Sequence, residues 1–483
     1  MRTAGSRTLA LLLKVMAANI LSEIAGIDLG DERRNRRIGR LASRMAASPQ
    51  ESIRAACKGW AEAIGGFRLL HNEEVTWEKI LCAHEQATLE RAGACERILL
   101  VQDTTELNYS SHKSLIGAGR LDAQTRQGFY AHNHLLVDED TGVALGLCGS
   151  YVWTREQETK RHGHKQVPFE EKESHRWFQG YLKACEVAQK YPAAEVLTVG
   201  DRESDIYEIY AEWQRRGQCG ESRAEVLVRA GRDRVLLDAD NYLFQTMRHG
   251  QELGTYSVEF ASKAQVRKIN GNRCLTHRLG RKATLEVRST KVRLKPTHRK
   301  HGGKLPPVEL WAVCVLEIDP PQGHEPIEWF LLTSLPAETF SQARRVIRAY
   351  ANRWLVEELH RILKSGCRVE QINLRTSASL LPAVALYLIV AWRILYLRDF
   401  RRAQPDLCCS IFFTSAEWQA ACLIQGRPVD TGPPTLEQMV GMVGKMGGHM
   451  GRKKDPSPGP ECLWRGMEKL RCYVEMGQAL GRL

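Results

Sequence analysis

The chain has 483 residues, room for about three domains at roughly 150 residues each. Lys and Arg number 69 against 56 Asp and Glu, a net charge of +13, and 43% of the residues are hydrophobic. Such a chain buries a large core, which excludes a disordered polycation, and its positive excess suits a phosphate-rich partner. The longest apolar window, Leu380 to Trp392, falls short of the roughly 18–20 residues of a membrane span and reads as a buried helix, so no membrane partner is expected. Leu9–Leu13 behind Arg2 and Arg7 has the outline of a secretory leader, but Lys14 interrupts it and no clear small-residue cleavage site follows. The 14 cysteines show no C-x-x-C pair, which fits reduced thiols in a cytoplasmic protein and not a zinc site or a disulfide scaffold. His162/His164 and His298/His301 lie in basic, loop-like stretches, where solvated or phosphate-contacting histidine is a simpler reading than metal ligation.

Residues 20–85 read as short helices. Asp31 is a candidate N-cap, followed by an apolar stripe at Ile38, Leu41 and Met45. Arg33, Arg34, Arg36, Arg37, Arg40 and Arg44 cover much of the remaining surface, either as a solvated face or as a phosphate-binding one. Trp60, Ile64, Phe67 and Leu70 form a second stripe, expected in the core. Ile98–Val101 reads as a strand buried on both faces and ending at Gln102-Asp103. Leu135–Val137 and Val143–Leu147 read as a hairpin, Glu171 to Gln189 as a helix, Val196–Val199 as a second buried strand ending at Asp201, Ile206–Gln214 as a helix and Val226–Val228 as a strand. Three strands, then alternating helix and strand, with an acid ending the first and fourth strands, is the order of a ribonuclease-H-like α/β core.

Residues 234–335 interrupt this core with alternating, strand-like sequence. Between Lys263 and Lys304 there are 14 Lys/Arg against a single acid, Glu286. Alternation at Leu285, Val287 and Val292 argues for a basic sheet and not a disordered loop. A long helix is expected from Ser341 to Lys364, stopped at Ser365-Gly366, and then a mainly helical segment from 371 to 483 whose short helices carry Trp418 and Trp464. On that long helix, stepping about 100° per residue from Tyr350 puts Arg353, Glu357 and Lys364 within about 60° of it, opposite Leu355, Leu359, Ile362 and Leu363.

A polar stripe alone is an ordinary solvated face. The aspartates change its meaning. Carboxylates at the mouths of neighbouring apolar strands, Asp103 and Asp201, would repel and desolvate each other, and a divalent cation is the simplest compensation. With Glu357 as a third acid, the set suits two Mg²⁺ or Mn²⁺ ions and in-line displacement at phosphorus. Arg353 and Lys364 would grip phosphates, and Tyr350 would donate to a phosphate or stack on a base.

Tyr350-x-x-Arg353-x-x-x-Glu357, continued six residues later by Lys364, resembles the Y-(2)-R-(3)-E-(6)-K signature of the insertion-sequence-four family of bacterial DDE transposases. Q-D-T-T at 102–105 and D-R-E-S-D at 201–205 resemble its two aspartate motifs, and D-L-G-D-E-R-R at 28–34 its DNA-binding segment. E-K-E-S at 171–174, W-F-L-L-T-S at 329–334 and the run from P-T-L-E-Q-M to Trp464 are similar to further family segments, so that the resemblance covers roughly residues 20–480. It implies a helical DNA-binding domain (20–85), a ribonuclease-H-like catalytic domain (95–370, with the β-rich insertion at 234–335) and a helical dimerisation domain (371–483). It implies Asp103, Asp201 and Glu357 as catalytic metal ligands for two Mg²⁺ or Mn²⁺ ions, with Tyr350, Arg353, Lys364, Trp329 and Arg229 on the DNA. Arg33, Arg36, Arg37 and Arg40 are the candidate DNA contacts of the N-terminal domain. The implied activity is cut-and-paste transposition of double-stranded DNA, with a hairpin intermediate, by a homodimer bridging two ends. The rival readings are a hydrolysis-only nuclease of the same fold and a domesticated DNA-binding relative without catalysis.

Overall fold

The computed structural model describes residues 20–121, 125–155, 168–238, 241–260, 263–269, 272–278, 280–296, 305–322, 326–452 and 455–483. The leader-like run and both histidine pairs lie outside the described residues.

After α1 (Ile20–Glu23), Asp31 caps α2 (Glu32–Ala47), its carboxylate accepting the Arg33 N–H at 2.7 Å, and the predicted stripe Ile38, Leu41 and Met45 is buried. α3 (Ile53–Ala56), α4 (Trp60–Leu70) and α5 (Trp77–Ala92) follow. The α4 stripe is rotated from the predicted one. Ala63, Gly66 and Leu70 are buried with Gly65 and Leu69, whereas Trp60 is 64% exposed beneath the Arg54 guanidinium. Two adjacent glycines let the helix pack through its backbone, and apolar periodicity alone does not register that surface. β1 (Arg97–Asn108), β2 (Gly119–Arg120), β3 (Gln127–Asp138) and β4 (Val143–Trp153) come next. Then follow α6 (His175–Lys190), β5 (Glu195–Gly200), α7 (Tyr207–Gln218) and β6 (Glu225–Arg229). The expected helix from Glu171 thus starts at His175, behind a single 3₁₀ turn.

The basic segment forms α8 (Leu243–Arg248), β7 (Gln251–Phe260), β8 (Lys263–Ile269), β9 (Asn272–Arg278), β10 (Arg281–Leu294), β11 (Val308–Ile318) and β12 (Glu328–Thr333). The expected helix 341–364 is two helices, α9 (Phe340–Ala351) and α10 (Trp354–Arg361), followed by a π turn at Ile362–Gly366. α11 (Ser377–Ala403), α12 (Ser415–Ile424), α13 (Leu436–Met446) and α14 (Pro460–Ala479) complete the chain. Trp464 therefore sits on a 20-residue helix, not a short one.

Two compact units emerge. One holds the described residues of Met1–His162, Glu186–Val196 and Asn352–Leu483, the other those of Gly163–Cys185 and Leu197–Ala351. In the first, β3 pairs antiparallel with β1 on one side and with β4 on the other. Asp103 stands opposite Asn133, and Asn133 opposite Ser150. Directly paired residues project from the same face, so these three side chains form one row across three strands. A buried network ties α1 to this sheet. Arg91 donates to both Glu23 oxygens at 2.7 and 2.9 Å and to Leu145 O at 2.7 Å, while His84 sits between Glu23 and the Leu147 N–H.

α11 corrects the expectation that no window is of membrane-span length. Its best 18-residue window has mean hydropathy 2.0, but 89% of that window is buried inside the protein. Trp392 Nε1 donates to Ala144 O at 2.8 Å and Tyr387 OH to Glu51 O at 3.1 Å, so the polar tips of these two aromatics are also satisfied within the protein.

In the second unit, β5 and β6 are parallel and β6, β12, β11, β10 and β7 continue the sheet antiparallel in that order. Four strands of the basic segment thus extend the sheet begun by β5 and β6, and β8–β9 form a separate hairpin. The predicted alternation holds on β10, where Leu285, Val287 and Val292 are buried.

Candidate active site and nucleic-acid interface

Asp103 is the seventh residue of β1, not its last. The strand runs on through Thr104–Asn108 because every one of these residues is paired with β3, down to Asn108 opposite Gly128. The Asp103 side chain is 17% exposed. Its Oδ1 accepts the Thr104 N–H at 2.8 Å, and Arg353 Nη1 approaches Oδ2 at 3.7 Å. Arg353 keeps helical dihedrals (φ −54°, ψ −31°) at the entry to α10 and donates through Nη2 to Glu357 Oε1, one turn further on. One guanidinium thus bridges two carboxylates that are remote in sequence. α10 is held down by buried Leu355, Val356 and Leu359, which leaves Arg353 and Glu357 on its flank above β1.

The fourth residue of the signature, Lys364, sits in the π turn and is half-buried. Burial pushes its ammonium pKa down, and the carboxylates of Glu370, Glu106 and Asp103 oppose that shift. Glu370 is itself anchored by the Asn108 N–H at 2.8 Å, and Glu106 pairs with Arg126. Tyr350 does not share this helix face, because α9 ends at Ala351. It is 4% exposed, and its ring meets Trp329 of β12 edge to face at 5.3 Å. Both of these aromatics lie in the second unit, with Arg229, which ends β6 and donates to Glu328 O at 3.3 Å.

Asp201 also lies in the second unit, directly after β5, as the sequence predicts. It caps a 3₁₀ turn by accepting the Glu203 N–H at 2.8 Å and is half-buried. The other aspartate of its motif, Asp205, is structural. It is buried against Arg234 at 2.6 Å and accepts the Gly231 and Arg232 N–H groups at 2.9 and 3.1 Å.

Among the described residues, no three His, Cys, Asp or Glu side chains stand at metal-holding reach of one another. The pair Asp103–Glu357 nevertheless fits a divalent cation in donor type. Both are hard oxygen donors, and a positive group, the Arg353 guanidinium, occupies the space between them.

Asn133 and His360 are parts of this neighbourhood that the sequence reading passed over. Asn133 Nδ2 lies 2.9 Å from His360 Nε2, one helical turn beyond Glu357. Burial lowers the His360 pKa to about 3, helped by Lys364, so the imidazole is neutral. The readable signal was the E-x-x-H spacing from Glu357, which places both side chains on one helix face.

On α2, Arg33, Arg36, Arg37 and Arg40 are exposed, while Arg34 donates to Leu29 O at 2.8 Å and Arg44 pairs with Glu62 at 3.1 Å. The first four are the outward-facing cations of the helix.

Comparison with family models matches residues 16–75 to transposase DNA-binding, residues 121–392 to the transposase DDE domain and residues 389–481 to the transposase Tn5 dimerisation domain. The chain belongs to the Tn5-like DDE transposases. The exposed arginines of α2 fall within the DNA-binding match, and Asp201, Tyr350, Arg353, Glu357 and Lys364 fall within the DDE match. The transposase is therefore a DNA-binding enzyme with an α/β, ribonuclease-H-like DDE domain between a helical N-terminal segment and a helical C-terminal dimerisation domain.

Proposed function

We propose that this transposase moves DNA by cut and paste, with Asp103, Asp201 and Glu357 as its catalytic carboxylates. The observation that carries the reading is the single Arg353 guanidinium joining Asp103 of β1 to Glu357 of α10. Two acids 254 positions apart gather over one cation, an arrangement that supports a charge-binding centre. The three carboxylates would hold two Mg²⁺ or Mn²⁺ ions, which supply charge stabilisation for attacking and leaving oxygens at phosphorus.

The residues of the chain then divide the remaining work. Arg353 and Lys364 grip phosphates beside the scissile bond, Arg353 by its fork and Lys364 as a point charge. Hydrolysis at the transposon end frees a 3′-hydroxyl. That hydroxyl attacks a phosphodiester of the opposite strand, the flanking DNA leaves with the 3′-oxygen and its proton, and a hairpin closes while Trp329 stacks on a flipped base beside Tyr350. Water reopens the hairpin, and the 3′-hydroxyl joins target DNA. Arg33, Arg36, Arg37 and Arg40, with Arg229, hold phosphates of the ends, and a homodimer bridges two ends in a synaptic complex in the cytoplasm, on nucleoid DNA.

The test is cleavage and strand transfer on end-bearing DNA with Mn²⁺. Wild-type protein is expected to yield hairpin ends and joined target products, and Asp103→Ala, Asp201→Ala and Glu357→Ala to yield neither. An Asp103→Ala protein that cleaves at the wild-type rate would sink the assignment.

A further inference from the structure

The geometry points to Asn133 and His360 as a positioning pair that sets the separation of the Asp103 and Glu357 carboxylates. The inference rests on the reading that these two acids hold divalent metal.

Asp103, Asn133 and Ser150 occupy one row across β1, β3 and β4, with Asp103 and Ser150 each directly opposite Asn133. Above this row lies α10, which touches it at two points. Arg353, itself paired with Glu357, meets Asp103, and His360 meets Asn133 at 2.9 Å. Glu357 and His360 are three residues apart on the same helix face, and Asp103 and Asn133 are neighbours on adjacent strands. A contact fixed at His360 therefore fixes where Glu357 stands relative to Asp103, through one helical turn on one side and one strand spacing on the other.

The hydrogen bonds give this contact a direction. Ser150 Oγ donates to Asn133 Oδ1 at 2.6 Å. That assigns the oxygen of the amide and leaves its N–H₂ facing the ring, so His360 Nε2 must be the acceptor and the ring proton sits on Nδ1. Asn133 is fully buried and His360 is 7% exposed, so neither group finds a water substitute at low cost. The Arg353 bridge is of another kind. It is an ion pair that a divalent cation would displace, whereas the neutral Asn133–His360 bond survives the arrival of metal. It is the part of the site that holds α10 in place before and after loading.

The experiment is Mn²⁺ binding to the full chain without DNA, followed by the loss of the free-ion electron paramagnetic resonance signal. His360→Leu removes the acceptor. His360→Gln keeps one in nearly the same place. Ser150→Ala lets the Asn133 amide turn over while leaving the core filled. Mn²⁺ affinity is expected to fall about tenfold or more in His360→Leu, by severalfold in Ser150→Ala, and to return to near the wild-type value in His360→Gln. Binding of end DNA in the absence of metal should be the same in all of them. Wild-type Mn²⁺ affinity in both His360→Leu and Ser150→Ala would overturn the positioning role, as would a His360→Gln protein no better than His360→Leu. Should both His360 variants fail to fold, Ser150→Ala decides alone. Asp103→Ala separates the two layers. If it binds Mn²⁺ as wild type does, the metal-site reading itself fails, whatever the His360 variants do.

Discussion

The Trp329 indole and the Tyr350 ring meet edge to face, centroids 5.3 Å apart and planes at 71°. Tyr350 is almost fully buried, so its ring is part of the packing. Tyr350→Ala is expected to lower stability by about 3–5 kcal/mol, as for other buried aromatic truncations, and to lose activity through misfolding. Tyr350→Phe keeps the ring pair, so its melting temperature should stay close to wild type. Loss of end binding in that variant, read by gel shift, would report the hydroxyl alone.

Arg353 neutralises Asp103 and Glu357 together. Removing it leaves two carboxylates facing one another. Arg353→Ala is expected to melt at a lower temperature than wild type without divalent ions, and to gain more on adding Mn²⁺, because the ion then meets no competing cation. Calorimetric scans with and without Mn²⁺ check this. Equal shifts in the two proteins would mean that guanidinium and metal do not contend for the same charge.

His360 adds to the acid sensitivity of this region. Folding lowers its pKa from 6.5 to about 3, so below 6.5 the unfolded chain takes up a proton that the folded chain refuses. The stability that depends on the neutral ring is complete above pH 6.5 and is lost as pH falls toward 3. That loss amounts to about 2 kcal/mol between pH 7 and 5, at roughly 1.4 kcal/mol per pH unit. His360→Gln removes the titrating group, so its denaturation midpoint should fall less than the wild type's over the same interval.

Arg33, Arg36, Arg37 and Arg40 face outward from α2. Each phosphate they neutralise adds about 0.9 to the slope of log affinity against log salt. Replacing any one of them by Ala should weaken end binding and flatten that slope by about 0.9, measured by fluorescence anisotropy at several salt concentrations. A variant with unchanged slope identifies an arginine that points at solvent in the complex as well.

Strands buried on both faces were the most legible parts of the chain. Ile98–Val101, Val196–Val199 and Val226–Val228 announce themselves as unbroken apolar runs, and all three are strands. Their ends were less legible. β1 continues to Asn108 because pairing with β3 supports polar residues that carry no run of their own. The Tyr350–Lys364 signature was visible as spacing, but the wheel drawn through it assumed one straight helix, and the break at Asn352-Arg353 places Tyr350 on a different element from the other three. Asn133 and Ser150 were invisible as site residues because their role depends on cross-strand register, which no local pattern encodes.

The DDE match ends at residue 392 and the dimerisation match begins at residue 389, both inside α11. The two modules therefore share a single rod of 27 residues, most of it wrapped by protein. A fragment cut where one match gives way to the other would sever that rod at Trp392 and strip the indole's bond to Ala144 of its surroundings, leaving a greasy stump on each half. Shuffling these halves between relatives is an exchange of whole helices, and the workable seams lie in the turns on either side of α11.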